Sequence, residues 1–266
     1  MFLQFLSDLD PDLMASLWEQ LRVRWTHSST ALEGNTLTEG ETFGVLKYGL
    51  TVSGRPLAHH NEVMGHSRAL DLLFDIGQSG RDLDEADLFA LHTAVQTAAE
   101  VDHLKPVGAW KVEAHSTVAK LEGKTVINDN YAAPVHVPAL MCEWLDRFNK
   151  ARKGGAPALE DFVWAHATFA RIHPFADGNG PMARLLANLP VLEKGQLPIL
   201  IPATERLRYI EALATWQVAS GPPRPGQDLF PHPETLLDFH ALCEKSMVVT
   251  HQMLAEAQAL QTARHV

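Results

Sequence analysis

Residues 172–188 read Ile172-His173-Pro174-Phe175-Ala176-Asp177-Gly178-Asn179-Gly180-Pro181-Met182-Ala183-Arg184-Leu185-Leu186-Ala187-Asn188. Phe162, Ala165, Phe169 and Ile172 lead into this stretch at three- and four-residue steps, the spacing of an apolar helix face. Proline disfavours a helical conformation in the residue before it, so His173, ahead of Pro174, is expected to close that helix. The turn Asp177-Gly178-Asn179-Gly180 then reverses the chain, its glycines free to take positive φ. A second helix is predicted from Pro181, because proline suits the first helical position. Leu185, Leu186 and Leu189 give that helix its inner face.

The stretch also carries chemistry. Backbone N–H groups of Gly178, Asn179 and Gly180 ahead of a helix N-terminus make a concave anion site, and phosphate is its obvious guest. Asp177 could hold a Mg²⁺, an ion that takes one or two carboxylates and completes its shell with phosphate oxygens and water. Arg184, one turn into the second helix, can reach a terminal phosphate with its planar fork. His173 stands across the turn, placed to take a proton from an attacking hydroxyl. A plain helical corner has no need of all four residue types together.

HPFADGNGPMAR resembles the motif of the Fic family, H-P-F-x-D/E-G-N-G-R-x-x-R. The resemblance implies an all-α fold, a helical bundle with a small β-hairpin flap. It also implies transfer of AMP from ATP to a hydroxyl side chain of a protein, with ATP and Mg²⁺ required. One core position departs from the pattern: Pro181 stands where the family has its first arginine. Proline keeps the turn and the helix start but removes a guanidinium. A charge-assisted hydrogen bond to phosphate is worth about 1.5–3 kcal/mol, so its loss weakens nucleotide binding on the order of tenfold to a hundredfold. Two alternatives therefore stand beside protein adenylylation. One is altered chemistry, either AMP removal or transfer of another phosphate-linked group. The other is a non-catalytic regulatory binding protein.

A helix predicted over about 12–34 carries the stripe Leu13, Leu17, Leu21 and Trp25 and ends in the polar run Ser28-Ser29-Thr30 before Gly34, a natural stop. Ser29 and Glu33 share one face of it. The segment is similar to the family's inhibitory motif, S/T-x-x-x-E-G/N, carried here by Ser29, Glu33 and Gly34. The resemblance implies a Glu33–Arg184 ion pair that withholds the arginine from the γ-phosphate, and thus the class with an N-terminal inhibitory helix. Glu33 is also the residue that could support AMP removal.

Thr38-Glu39-Gly40-Glu41 and Asp84-Glu85-Ala86-Asp87 each open a helix, with acidic residues at the positive end of the dipole. His59, Glu62 and His66 share roughly one face, but the H-E-x-x-H spacing of a zinc helix is missing, and they read as scaffold. His92 and His166 read as packing histidines. From Gly108 to Pro134 the helical period fades. Two strands around Glu122-Gly123-Lys124 form a β-hairpin, bracketed by Gly108–Lys111 and Tyr131–Pro134. By resemblance it is the flap, about 108–134, that docks an extended segment of the target by backbone pairing. Thr125, Val126 and Ile127 are its candidate residues, with Val126 and Ile127 the candidates to face the nucleotide. Val137–Phe148 and residues 205–219 read as helices. On the latter, Tyr209, Ile210, Leu213 and Gln217 recur at near-helical steps. Core packing explains that stripe; the family pattern R-x-x-Y implies instead that Ile210, Leu213 and Gln217 wall the adenine.

The chain has 266 residues and a net charge of −10, which argues against a nucleic-acid-binding surface and against a polybasic membrane patch. Cys142 and Cys243 make neither a disulfide framework nor metal spacing, which suits a reducing, cytoplasmic setting. The opening segment, residues 1–13, is apolar without a basic flank or cleavage site and reads as a partner-packing segment. N-terminal helices over 1–100 and a core over 101–266, with the motif at 173–184, are expected to form one compact unit. The expected partners are a protein target at the flap, the chain itself as a substrate, and a second copy in a homodimer.

Overall fold

A computed structural model describes residues 3–97, 104–121 and 123–264. Nine α-helices are present among them: α1 Pro11–Leu32, α2 Glu39–Tyr48, α3 Leu57–Ser79, α4 Glu85–Val95, α5 Val137–Lys153, α6 Ala158–Ile172, α7 Asn179–Glu193, α8 Arg206–Ser220 and α9 Leu237–Arg264. Between α4 and α5 lies a two-stranded antiparallel hairpin, β1 Thr117–Leu121 and β2 Lys124–Asn128, paired Thr117 to Asn128 and Leu121 to Lys124. The described residues form the all-α bundle with a small hairpin that the resemblance implied.

Local chemistry sets several boundaries. Thr38 and Glu41 form a reciprocal capping box at the start of α2, and Asp84 and Asp87 do the same for α4. Pro11 occupies the first turn of α1. The turn of the hairpin passes through Gly123, at φ +76°.

The bundle is built around α7. Every residue from Pro181 to Leu192 is buried, so this helix is enclosed by its neighbours, with Arg184 and Asn188 the polar residues among them. Against it packs α6, whose Phe162, Ala165, Phe169 and Ile172 are buried as the spacing predicted. Trp144 of α5 stacks on Phe148 at 4.5 Å between ring centroids, and its indole N–H donates to Thr168 Oγ1 at 2.9 Å. One continuous apolar core runs from Trp25 of α1 to Cys243 of α9. The opening segment packs within this chain: Leu6 and Leu9 join Leu13, Leu17 and Leu21 against Leu197 and Met253. The Pro/Gly-rich stretch after α8 is held by Arg171, whose guanidinium donates to the carbonyls of Ser220, Gly221 and Leu229, each at 3.0 Å. Among the described residues, no helix is long and apolar enough to cross a membrane.

Candidate active site

The site lies where the turn between α6 and α7 meets the hairpin, the end of α1 and α8. His173 caps α6 in a left-handed conformation, φ +53°, ψ +59°, which is unusual for a residue with a Cβ. Asn179 locks the turn that follows. Its side-chain oxygen accepts from the Phe175 N–H and its amide donates to the Phe175 carbonyl, both at 2.9 Å. Gly178 takes φ +71°, and a Cβ there would run into the Gln96 side-chain amide. The second helix starts at Asn179, two residues before the predicted Pro181, because Asn179 closes the turn from inside the helix. Pro181 is then the third helical residue. Its missing N–H would have had no intrahelical acceptor there, so the helix tolerates it.

The predicted anion cradle is smaller than the sequence suggested. The Gly178 N–H donates to Asp177 Oδ1 at 2.7 Å. The N–H groups of Asn179 and Gly180, in the first helical turn, have no intrahelical acceptor and remain as donors. Two cavities, about 370 and 280 Å³, adjoin this turn and share His173, Asn179, Gly180, Glu33 and Thr117 in their walls. Asp177, exposed on the turn, faces the larger one together with Pro181, Glu62 and His66.

The imidazole of His173 is set up as an acceptor. Its Nδ1 lies 3.3 Å from the Ala170 carbonyl, which can only accept, so Nδ1 carries the proton and Nε2 keeps its lone pair. Burial, then the neighbouring His115 and Lys111, hold its pKa well below the ordinary histidine value. The ring is therefore neutral at pH 7. Tyr131 and His115 flank it, with ring centroids 4.2 and 4.6 Å away.

Arg184 is 4% exposed and fully engaged. Its Nε donates to Ser29 Oγ at 3.0 Å, and Nη2 donates to the Ser29 carbonyl at 2.9 Å and to Glu33 Oε1 at 2.7 Å. Nη1 donates to the Tyr209 hydroxyl at 3.2 Å, and that hydroxyl in turn donates to His166 Nε2 at 3.1 Å. The ion pair that the resemblance implied is thus present. Glu33 ends α1, and Gly34 beside it turns the chain at φ +104°. The carboxylate also lies over Gly180: a Cβ on that glycine would collide with Glu33 Oε1. An acidic group therefore sits at the mouth of the anion cradle.

Ile210, Leu213 and Gln217 line the smaller cavity beside Tyr209 and Arg206. Gln217 is also tied to the hairpin, accepting from the Asn128 side chain at 2.6 Å. The flap residues against the cavity are Thr117, Val118, Ala119 and Asn128. Thr125, Val126 and Ile127 are not in its wall; Ile127 is 72% exposed. β1 supplies most of the hairpin's cavity wall, and β2, which carries the candidates, touches it only through Asn128 at its end.

Sequence reasoning missed His115, Lys111, Tyr131 and Asn128, which only the folding of the hairpin arms over α6 brings to the site. His92 and His166 are packing histidines, as read. His92 accepts from the Gly108 N–H at 2.9 Å, donates to the Asp177 carbonyl at 3.1 Å and stacks on Phe175. His59, Glu62 and His66 bond to Thr36, Asn35 and Thr26 respectively. No group of three or more His, Cys, Asp or Glu that could hold a metal occurs among the described residues.

Helical bundle, hairpin and motif turn define a Fic-type domain, and comparison with known proteins agrees. Residues 82–191 match the Fic/DOC family model, and the chain belongs to that family. It is 30% identical over 191 residues to protein adenylyltransferase fic-1 of Caenorhabditis briggsae, covering 71% of this chain and 35% of that protein. It is 26% identical over 194 residues to protein adenylyltransferase Fic of Drosophila melanogaster, covering 70% of this chain and 36% of that one. The chain thus spans about a third of the length of these curated relatives. A Fic domain containing signaling protein from Bacteroides thetaiotaomicron superposes with a TM-score of 0.82 at 27% identity, covering 96% of this chain and 94% of that one. Fic-1 from Caenorhabditis elegans gives a TM-score of 0.73 at 22% identity, covering 96% of this chain and 69% of that one, a likeness of fold.

Proposed function

We propose that this chain is a protein adenylyltransferase that moves AMP from ATP to a Ser, Thr or Tyr hydroxyl, and that Glu33 holds it inactive. The observation that carries this reading is the arrangement around Arg184. Ser29 and Glu33 take up its guanidinium within one side chain's reach of the motif turn and beside a neutral His173. The names of the relatives support AMP transfer as the chemistry.

In the mechanism, the adenine lies against Ile210 and Leu213, with Gln217 to orient it. The phosphates enter the turn once Glu33 has left it. The target hydroxyl oxygen attacks the α-phosphorus, and its proton goes to His173 Nε2. The bond to the β-phosphate bridging oxygen breaks and pyrophosphate leaves. The Asn179 and Gly180 N–H groups stabilise the negative charge that grows during transfer. Asp177 fits a Mg²⁺ held by one carboxylate, since the ion completes its shell with phosphate oxygens and water; it would neutralise phosphate charge. The exposed carboxylate has an oxygen to spare, because the Gly178 N–H bond occupies Oδ1.

Intact mass after incubation with ATP and Mg²⁺ tests the reading. Glu33→Gly is expected to gain one AMP, about 329 Da, by self-modification, and Glu33→Gly with His173→Ala is expected to gain none. Wild type is expected to gain less than Glu33→Gly. Should Glu33→Gly bind ATP yet modify neither itself nor any protein of a lysate, the transferase assignment fails.

A further inference from the structure

Lys111 is a buried cation to which the mechanism above gives no task. It is 3% exposed, and among the described residues it makes no salt bridge to a carboxylate. Burial alone pulls its pKa down to about 8, so it is still largely charged at pH 7. A lysine in such a place is costly to keep unless its charge or its hydrogen bonds act on something nearby.

Its contacts converge on one residue. The Lys111 backbone N–H donates to the Pro174 carbonyl at 2.9 Å, and its ammonium donates to the Ile172 carbonyl at 3.5 Å. These carbonyls stand immediately before and after His173. The Ala132 N–H, from the other arm of the hairpin, donates to the same Ile172 carbonyl at 3.3 Å. Between the two arms the strained backbone of His173, at φ +53°, is held on both sides. The ammonium also lies 6.0 Å from the centre of the Tyr131 ring, and that ring packs on His173.

We propose that Lys111 is a positioning residue for His173: it fixes the two carbonyls that frame the histidine and sets a positive charge behind its ring. The inference rests on the reading of His173 as the base. A charge there favours the neutral imidazole, the form that can accept a proton. His115 and Tyr131 from the hairpin arms pack on the His173 ring, and the other titratable groups that share its cavity walls are Asp177 from the turn, Glu33 from α1, Glu62 and His66 from α3, and Arg206 and Tyr209 from α8. Only Lys111 among them has its hydrogen bonds directed at the backbone on either side of the ring.

A lysine that merely caps the last carbonyls of α6 would influence melting and nothing else. The test therefore follows the histidine. The full chain is labelled with ¹⁵N-histidine, and the His173 ring is titrated by NMR in wild type, Lys111→Met and Lys111→Arg. The Met variant keeps the apolar stem and loses the charge. Its His173 midpoint is expected to rise by roughly half a pH unit or more, and the Arg variant is expected to stay near wild type. In the Glu33→Gly background, Lys111→Met should lower kcat about tenfold with KM little changed. If Lys111→Met does not fold, Lys111→Gln takes its place in the same titration. A folded variant without the charge whose His173 midpoint matches wild type overturns the proposal. Failure of Glu33→Gly to transfer AMP would instead strike the functional reading, and the titration result would stand apart from it.

Discussion

Mild acid should unfold this protein through its buried histidines. His66, His92 and His166 are 1%, 1% and 0% exposed. Burial lowers their pKa values to about 3, about 4 and about 3, with the charge of Arg184 adding to the effect on His66 and His166. The unfolded chain gains a proton on each below about pH 6.5, and the folded chain does not until pH 3–4. More protons bind the unfolded state, so stability is flat above about pH 6.5 and falls as the pH drops from there. At pH 5 each group has lost about 1.5 units of 1.4 kcal/mol, or about 2 kcal/mol, and the three together about 6 kcal/mol. That is a large part of the 5–15 kcal/mol typical of a domain. Urea unfolding at pH 7, 6 and 5 measures it, with a slope of about 4 kcal/mol per pH unit expected from these three between pH 6 and 5 and a further contribution in the same direction from His173. His66→Leu and His166→Phe should each reduce that slope by about 1.4 kcal/mol per unit. Carboxylates with lowered pKa values, such as Asp87 and Asp238, take effect only at lower pH. Stability that is level from pH 7 to 5, or a slope that neither variant changes, would refute the reasoning.

Two further substitutions probe the frame of the site. Gly178→Ala forces a side chain into φ +71° and against Gln96, and should cost about 1–3 kcal/mol by urea unfolding while shifting the motif turn. Asn188→Ala should cost about 2–4 kcal/mol and lower Tm by several degrees. That side chain bridges the Arg184 carbonyl to both the N–H and the carbonyl of Ile199, and its loss strands buried polar groups.

What could be read from the sequence followed the reach of each signal. The step of Phe162, Ala165, Phe169 and Ile172, the proline after His173 and the glycines around Asn179 all act within a few residues, and they placed α6, the turn and α7 to within two residues. The first helix was expected over about 12–34 and runs Pro11–Leu32, because proline marks its start and Gly34 its end. The helix from Val137 was read to Phe148 and continues to Lys153, where a basic last turn completes it. The Glu33–Arg184 pair, 151 residues apart in the chain, came from the resemblance and from no local pattern. Contacts of that range without a motif were invisible. Tyr209 reaching Arg184, Lys111 reaching Ile172 and Asn128 reaching Gln217 each join segments that carry no mark of one another. The side of the hairpin that touches the cavity was also beyond reach, since alternation says which residues share a face and not which face is covered.

The helix that ends in Glu33 is riveted into the bundle. Leu13, Leu17, Leu21, Val23, Trp25 and Leu32 are buried along it, and Arg206 of α8 donates to the Leu32 carbonyl at 2.6 Å. At roughly 1.5–3 kcal/mol for each buried side chain, peeling the helix away would cost about 10 kcal/mol or more, close to unfolding the domain. Swinging out one carboxylate, whose side chain is already 48% exposed, gives up a charged hydrogen bond of about 1.5–3 kcal/mol. On the proposed reading of Glu33, a regulator that favours the freed side chain by about a hundredfold offsets that bond. On that reading Glu33 behaves as a latch on a fixed door frame: it is sprung by a small binding energy and reset without refolding anything.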